Sequence, residues 1–127
     1  DKVDLKLLFP DFVPMFSCME AQISQVILSL INNSRYAILN LNERWIEIKI
    51  EVESKTVNIL ITDSGLGIPT EIQTKIFQPF FTTKPVGEGT GLGLSMSYEI
   101  ITKGHNGELK VETKEGEFAE FIINLPV

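Results

Sequence analysis

The sequence predicts an α+β fold, a two-layer sandwich in which helices cover one face of a mixed, mostly antiparallel sheet. Apolar and polar residues alternate over residues 45–52 and 57–61, the pattern of strands with one buried and one wet face. Residues 19–41 and 92–102 carry apolar residues at three- and four-residue steps, which predicts two amphipathic helices. A chain of 127 residues with ordinary globular composition is long enough for one domain with its own core.

The first half of the chain predicts a strand, a long helix and a hairpin. Residues 3–9 read as a short strand that ends at Pro10. The apolar face of the long helix over 19–41 is formed by Ile23, Val26, Ile27, Leu30, Ile31, Ser34, Ala37 and Ile38. Residues 53–55 separate the two alternating segments and make them an antiparallel hairpin.

The second half begins with a short helix over 70–77, with Pro69 near its first turn. A glycine-rich segment over 80–93 has neither helix nor strand periodicity. The helix over 92–102 is expected to stop at Gly104 and Asn106-Gly107. Two strands, over 109–111 and 118–125, close the chain.

Composition excludes several classes of protein. The net charge of −6 argues against a general nucleic-acid or anionic-membrane binder, because no basic stripe offsets it. One Cys and one His exclude an internal disulfide and a structural zinc site. No segment has the length of a membrane span or the shape of a signal peptide. We therefore expect a cytoplasmic domain without direct membrane contact, whether or not its parent protein is anchored.

The segment from Asp63 to Ile68 (DSGLGI) directly follows a strand predicted to be buried. An aspartate there can accept a hydrogen bond from an exocyclic amine. The absent side chains at Gly65 and Gly67 leave room for a flat ring beside the backbone. The alternative is a plain turn that uses Asp and Gly for its geometry.

Four alternate glycines over residues 87–93 (GEGTGLG) run into a predicted helix. Successive amides at a helix N-terminus can bind the oxygens of a phosphate chain. The segment lacks the Gly-Lys-Ser/Thr of a Walker A loop, and no strand precedes it as in a Rossmann loop. A flexible surface loop is the alternative.

Asn32 and Asn33 lie in the middle of the long helix, although asparagine favours helix ends. A carboxamide oxygen suits Mg²⁺, which would hold phosphate oxygens while it keeps several waters. The alternative is a solvated helix face. His105 has no partner for a catalytic triad and is interpreted as a surface or turn residue. Cys18 is interpreted as a small core residue.

Together these motifs strongly resemble the ATP-binding catalytic domain of bacterial sensor histidine kinases, within the GHKL or Bergerat-fold ATPase superfamily. The resemblance covers residues 19–126, and the run over 80–95 (FFTTKPVGEGTGLGLS) is typical of the kinase branch. It implies the Bergerat fold, with ATP and Mg²⁺ as cofactors.

The resemblance also implies roles for individual residues. Asn33 matches the Mg²⁺ ligand, Asp63 matches the aspartate that reads the adenine amine, and Lys84 lies in the lid over ATP. Asn33 and Lys84 are the implied catalytic residues. The remaining implied nucleotide contacts are Gly65, Gly67, Ile68, Phe80, Phe81, Thr83, Gly89, Thr90, Gly91, Leu92, Gly93 and Leu94.

The chain departs from the family pattern on the long helix. Ser29 stands where a second Asn is usual, and we keep it as a further candidate metal ligand. Tyr36 replaces a residue that is commonly charged. Hydrolases of the superfamily carry a glutamate at the position of Ser29, which argues against autonomous ATP hydrolysis.

The resemblance implies a kinase that donates the γ-phosphoryl group of ATP to a histidine in two-component signalling. The acceptor lies on a separate dimerisation domain, which we expect residues 1–127 to lack, so that the isolated chain does not phosphorylate itself. The expected partners are that domain and a downstream response regulator, with a monomeric fragment and a homodimeric parent. The alternatives are a non-catalytic nucleotide-binding module and a serine-directed or hydrolytic relative.

Overall fold

The computed structural model describes residues 3–10, 20–73, 75–79, 81, 93–114 and 116–126. Five strands and three helices are described in these ranges. In chain order they are β1 (Asp4–Leu8), α1 (Glu20–Ile38), β2 (Trp45–Val52), β3 (Thr56–Asp63), α2 (Thr70–Gln73), α3 (Gly93–His105), β4 (Glu108–Lys114) and β5 (Phe118–Pro126). The predicted α+β class is therefore confirmed.

The five strands form one mixed sheet in the order β1-β2-β3-β5-β4. β1 runs parallel to β2, and the other three pairs are antiparallel. α1 packs over β2 and β3, α3 packs over β4 and β5, and the two helices contact each other. The sheet and the helices thus make the two predicted layers, with the apolar core between them.

Alternation along β3 sets which side chains enter this core. Val57, Ile59 and Ile61 are buried, and the same side of the strand ends at Asp63, which is also buried. Because strand residues two apart share a face, the apolar pattern itself directs Asp63 inward. A carboxylate therefore lies at the edge of the hydrophobic core.

Two predicted helix ends differ from the structure. α2 ends at Gln73, short of residue 77, because the N–H groups of Lys75 and Gln78 donate to carbonyls three residues back, as in a tight turn. α3 continues through Gly104 to His105, a half-buried residue whose Nδ1 lies 2.9 Å from the Ile100 carbonyl oxygen. The helix ends at His105, directly before Asn106, whose φ of 54° is left-handed. The predicted stop at Asn106-Gly107 is therefore confirmed, and the one at Gly104 is wrong.

The apolar face of α1 also differs at one position. Most of its predicted members are buried or pack against the core, but Ala37 is exposed. Ala37 lies where α1 passes the end of β3, and its Cβ is 3.5 Å from the position that a Cβ on Gly65 would take. A small residue there leaves the space beside the Asp63–Ile68 segment open.

Candidate nucleotide-binding site

Asp63 is the last residue of β3 and is only 1% exposed. Its Oδ1 accepts a hydrogen bond from the Gly65 N–H at 2.8 Å. Burial raises the pKa of the Asp63 carboxyl, while the Gly65 N–H and the Ser34 hydroxyl act in the opposite direction. The result is a strongly accepting group in a low-dielectric position, suited to bind a donor such as an amine.

Gly65 fits this site because any side chain would collide with the carboxylate. A Cβ built on Gly65 would lie 2.6 Å from Asp63 Oδ1, far inside van der Waals contact. Gly67 has a φ of 84°, a left-handed conformation that residues with a Cβ rarely adopt. Both glycines of the predicted motif are therefore required by local geometry, one sterically and one conformationally.

The Asp63–Ile68 segment is held at its start by β2. The Ser64 hydroxyl accepts the Trp45 N–H at 2.9 Å and donates to the Glu43 carbonyl at 3.0 Å. The Ser64 N–H donates to the Trp45 carbonyl at 3.1 Å. These three bonds fix the backbone that presents Asp63.

The far end of the segment is held by the hairpin of β4 and β5. The Gly116 N–H donates to the Leu66 carbonyl at 2.7 Å, and the Ile68 N–H donates to Thr113 Oγ1 at 2.8 Å. Thr113 Oγ1 in turn donates to the Phe118 carbonyl at 3.0 Å. Thr113 was not among the predicted site residues, since its partner, Ile68, lies 45 positions away and only the sheet brings the two together.

Helix α1 crosses the site and contributes side chains at two places. Ser34 is buried next to Asp63, and the preceding residue, Asn33, is half-buried. One turn earlier, Ser29 lies beside the start of α3: its Oγ would be 3.0 Å from a Cβ on Gly93. α1 therefore links the Asp63 end of the site to the first residue of α3.

The donors on α1 fit Mg²⁺ only in the company of a phosphate ligand. Among the described residues, no group of three or more His, Cys, Asp or Glu side chains could hold a metal ion by itself. The Asn33 carboxamide supplies a hard oxygen, and Mg²⁺ readily completes its shell with water and phosphate oxygens. The residues thus suit a cation that arrives with a polyphosphate.

Several other predicted contacts can be located, and the rest cannot. Ile68, Phe81 and Leu94 are half-buried and pack against the core, and Gly93 begins α3. Phe77 also packs there. The remaining predicted positions lie outside the described residues: Cys18, Phe80, Thr83, Lys84, Gly89, Thr90, Gly91 and Leu92.

The structure thus brings a buried aspartate, the glycine turn that follows it and the helix that carries Asn33 together in a two-layer α+β sandwich. The chain belongs to the family of histidine kinase-, DNA gyrase B- and HSP90-like ATPases, whose sequence model matches residues 18–127.

Several relatives of this chain are kinases by name. Sporulation kinase E of Bacillus subtilis strain 168 is 34% identical over 125 residues, which are 98% of this chain and 16% of the relative. The sensor histidine kinase ZraS of Escherichia coli strain K12 is 34% identical over 126 residues, which are 99% of this chain and 26% of the relative. The chain is thus a histidine kinase-type ATPase domain, and it spans about a sixth to a quarter of the length of these two kinases.

Solved structures agree with this assignment. The catalytic domain of histidine kinase ThkA superposes with a TM-score of 0.84 at 33% identity, over 98% of this chain and 80% of that one. The mycobacterial sensor histidine kinase MprB, at 19% identity, shares the fold with a TM-score of 0.80, over 98% of this chain and 83% of that one. None of the helices within the described residues has the length and apolar character needed to cross a bilayer.

Proposed function

We propose that residues 1–127 form a catalytic domain that binds Mg·ATP and presents its γ-phosphoryl group to a histidine on a separate dimerisation domain. The observation that carries the proposal is the buried Asp63 carboxylate beside Gly65, where a side chain would fill the space next to the acceptor. Membership of the histidine kinase-type ATPase family, whose domains bind ATP, supports the same conclusion.

In this proposal the base is read by Asp63. Its carboxylate accepts a hydrogen bond from the exocyclic amine of adenine, and the glycine backbone at 65 and 67 lies against the ring. Ile68 adds an apolar contact from a half-buried position. A purine without an amine at this position would leave the buried carboxylate without its donor, which makes the contact selective.

The triphosphate of the nucleotide is proposed to lie between α1 and the start of α3. Asn33 would ligate Mg²⁺, with Ser29 as a second candidate, and Gly93 and Leu94 would lie at the end of the phosphate-binding segment. Thr83, Lys84 and the glycines before α3 complete this part of the proposal. Bound Mg²⁺ neutralises phosphate charge during transfer, and such reactions depend mainly on positioning and electrostatics.

Calorimetric titration with Mg·ATP tests the assignment of Asp63. We expect Asp63→Asn to weaken binding by roughly tenfold or more, as for the loss of a hydrogen bond to a charged group. Glu51→Gln makes the same carboxylate-to-amide change at an exposed position of β2 and should bind like the parent. Asp63 pairs with Ile46 near the start of β2, whereas Glu51 lies near the other end of that strand. No binding by the parent at millimolar Mg·ATP would refute the proposal.

Phosphotransfer separates a kinase from a non-catalytic nucleotide-binding module. The chain is incubated with γ-labelled ATP alone and with an added histidine-containing dimerisation domain from a sensor kinase. We expect label on the added domain and none on the chain alone. Binding of ATP without any transfer would favour the non-catalytic module, and release of free phosphate without transfer would favour a hydrolase. In this proposal the partner of the catalytic domain is a histidine-containing dimerisation domain, and a response regulator acts downstream of the two.

A further inference from the structure

The hydroxyl oxygen of Ser34 is buried and has no hydrogen-bond partner. Among the described residues, no other buried side-chain oxygen or nitrogen is unpaired in this way. The residue is 1% exposed and lies on the buried face of α1. A serine inside a helix often donates to the carbonyl four residues earlier, but the Ser34 hydroxyl does not. A buried hydroxyl without a partner is unfavourable, so its presence calls for a reason other than packing.

The group beside this hydroxyl is the Asp63 carboxylate. α1 passes close to it: a Cβ on Gly65 would lie 2.6 Å from Asp63 Oδ1 and 3.5 Å from the Cβ of Ala37, one turn of α1 after Ser34. The Ser34 hydroxyl is near enough to lower the pKa of the Asp63 carboxyl without meeting the geometry of a hydrogen bond, and the Gly65 N–H donates to the same carboxylate. The two cross-strand neighbours of Asp63 are Ile46 and Ala119, whose side chains are hydrocarbon only. Ser34 is therefore the hydroxyl placed to complete the hydrogen bonding of the carboxylate from the helix layer.

We propose that Ser34 is a positioning residue for base recognition: its hydroxyl donates to the Asp63 carboxylate when nucleotide is bound and orients it toward the exocyclic amine. This inference rests on the proposed function. Gly65 holds the carboxylate from the loop and Ser34 holds it from α1, so that the acceptor cannot rotate away from the base. Because Asn33 is the preceding residue, the same turn of α1 would serve both the base and the metal.

The test compares two nucleotides in parent and variant proteins. We expect Ser34→Ala to weaken Mg·ATP binding by roughly three- to tenfold, the range of one net hydrogen bond. Binding of purine riboside triphosphate, which lacks the exocyclic amine, should change less than twofold. Ser24→Ala removes an exposed hydroxyl from the same helix and should leave both affinities unchanged.

Two further measurements distinguish positioning from a structural role. In an Asp63→Asn background, Ser34→Ala should have little additional effect on Mg·ATP binding, because the group through which it acts is gone. The urea unfolding midpoint of Ser34→Ala should equal or exceed that of the parent, since the substitution removes an unpaired buried hydroxyl.

Three results would overturn the inference: unchanged Mg·ATP binding by Ser34→Ala, equal losses for the two nucleotides, or a full loss that persists in the Asp63→Asn background. Each of these leaves the proposed function intact if Asp63→Asn alone weakens Mg·ATP binding. Failure of the parent to bind Mg·ATP would instead refute the proposed function itself.

Discussion

Asp63 is held in a position that favours its neutral form, although its proposed role requires the charged one. Burial outweighs the opposite effects of the Gly65 N–H and the Ser34 hydroxyl, so the pKa of the carboxyl is raised from 3.8. A carboxyl of this kind contributes stability that is fully present below 3.8 and is lost as the pH rises through its folded-state pKa. Above that pKa the ionised Asp63 therefore reduces the stability of the domain.

Burial of the Asp63 charge lowers stability, whereas the proposed contact with adenine requires that charge. We therefore expect Asp63→Asn to make the domain more stable at pH 7 and to weaken Mg·ATP binding. The amide is nearly isosteric and can still accept the Gly65 N–H, but it carries no charge to bury. Urea unfolding at pH 7 and at successively lower pH values measures the effect. The advantage of the variant should shrink as the pH falls toward 3.8. A variant that is less stable than the parent at pH 7 would contradict the prediction.

At the scale of elements, the segment that presents Asp63 depends on strands distant in sequence. β2 holds its start through Ser64, and the hairpin of β4 and β5 holds its end through Thr113 and Gly116. A loop tied at both ends loses little conformational entropy when a ligand binds. The β4–β5 hairpin is thus a support for the site, although it contributes no predicted ligand contact.

We expect Thr113→Val to destabilise the domain by about 1–3 kcal/mol, because the half-buried Ile68 N–H loses its acceptor. Mg·ATP binding should also weaken, since the Asp63–Ile68 segment is released at one end. Thr102→Val is the matched control: its hydroxyl donates only to the Tyr98 carbonyl of its own helix, near the surface. Urea unfolding and calorimetry of both variants provide the comparison, and equal effects would rule out the supporting role of Thr113.

Two glycines at the junction of α3 and β4 have opposite requirements: Gly104 lies in the last turn of α3, and Gly107 lies just before β4. A Cβ on Gly107 would lie 2.3 Å from the Asn124 carbonyl oxygen of β5, whereas one on Gly104 would find its nearest neighbour, Gln22 Oε1, at 3.6 Å. We expect Gly107→Ala to destabilise the domain by about 1–3 kcal/mol through overpacking. Gly104→Ala should stabilise it by up to about 1 kcal/mol through helix propensity. Thermal unfolding of both variants measures these changes in stability. If Gly107→Ala left the stability unchanged, the backbone at the end of α3 would be able to shift and accommodate the added Cβ.

At the scale of the whole molecule, stability comes from the apolar layer between sheet and helices. The described ion pairs, such as Lys103–Glu99 and Lys114–Glu117, are exposed, and exposed pairs contribute little. The buried layer instead joins α1 and α3 to the central strands, with Leu30, Ile61, Ile101 and Ile123 at 0% exposure. Both walls of the proposed site, α1 and β3, are parts of this layer.

Leu30→Ala is expected to destabilise the domain by about 2–5 kcal/mol, because it leaves a cavity in the center of this layer. Leu28→Ala removes the same atoms two residues away on α1, where the side chain is 60% exposed, and should change stability by less than about 0.5 kcal/mol. Urea unfolding of the two variants measures the difference. Similar losses for both would mean that α1 does not pack as described.

Much of the architecture could be predicted from the sequence because its cause is local. Alternation over residues 45–61 and helical spacing over 19–41 reflect which side chains face a core, so strands, long helices and fold class followed from periodicity. α2 and the end of α3 were predicted less well. Their boundaries depend on turn hydrogen bonds and on the left-handed Asn106, which compete closely with helix continuation.

The sequence by itself determined the residue types at the site: an aspartate after a strand, glycines that can approach a ring, and asparagine on a helix. Only the tertiary structure decided which distant residues support them. Ser34 had been counted as part of an apolar face, and Thr113 had no motif around it. Their roles depend on contacts between α1 and β3 and between a loop and the β4–β5 hairpin. Such contacts join residues that are distant in sequence and form only when the sheet and helices pack together. The periodicity of apolar residues along the chain therefore cannot predict them.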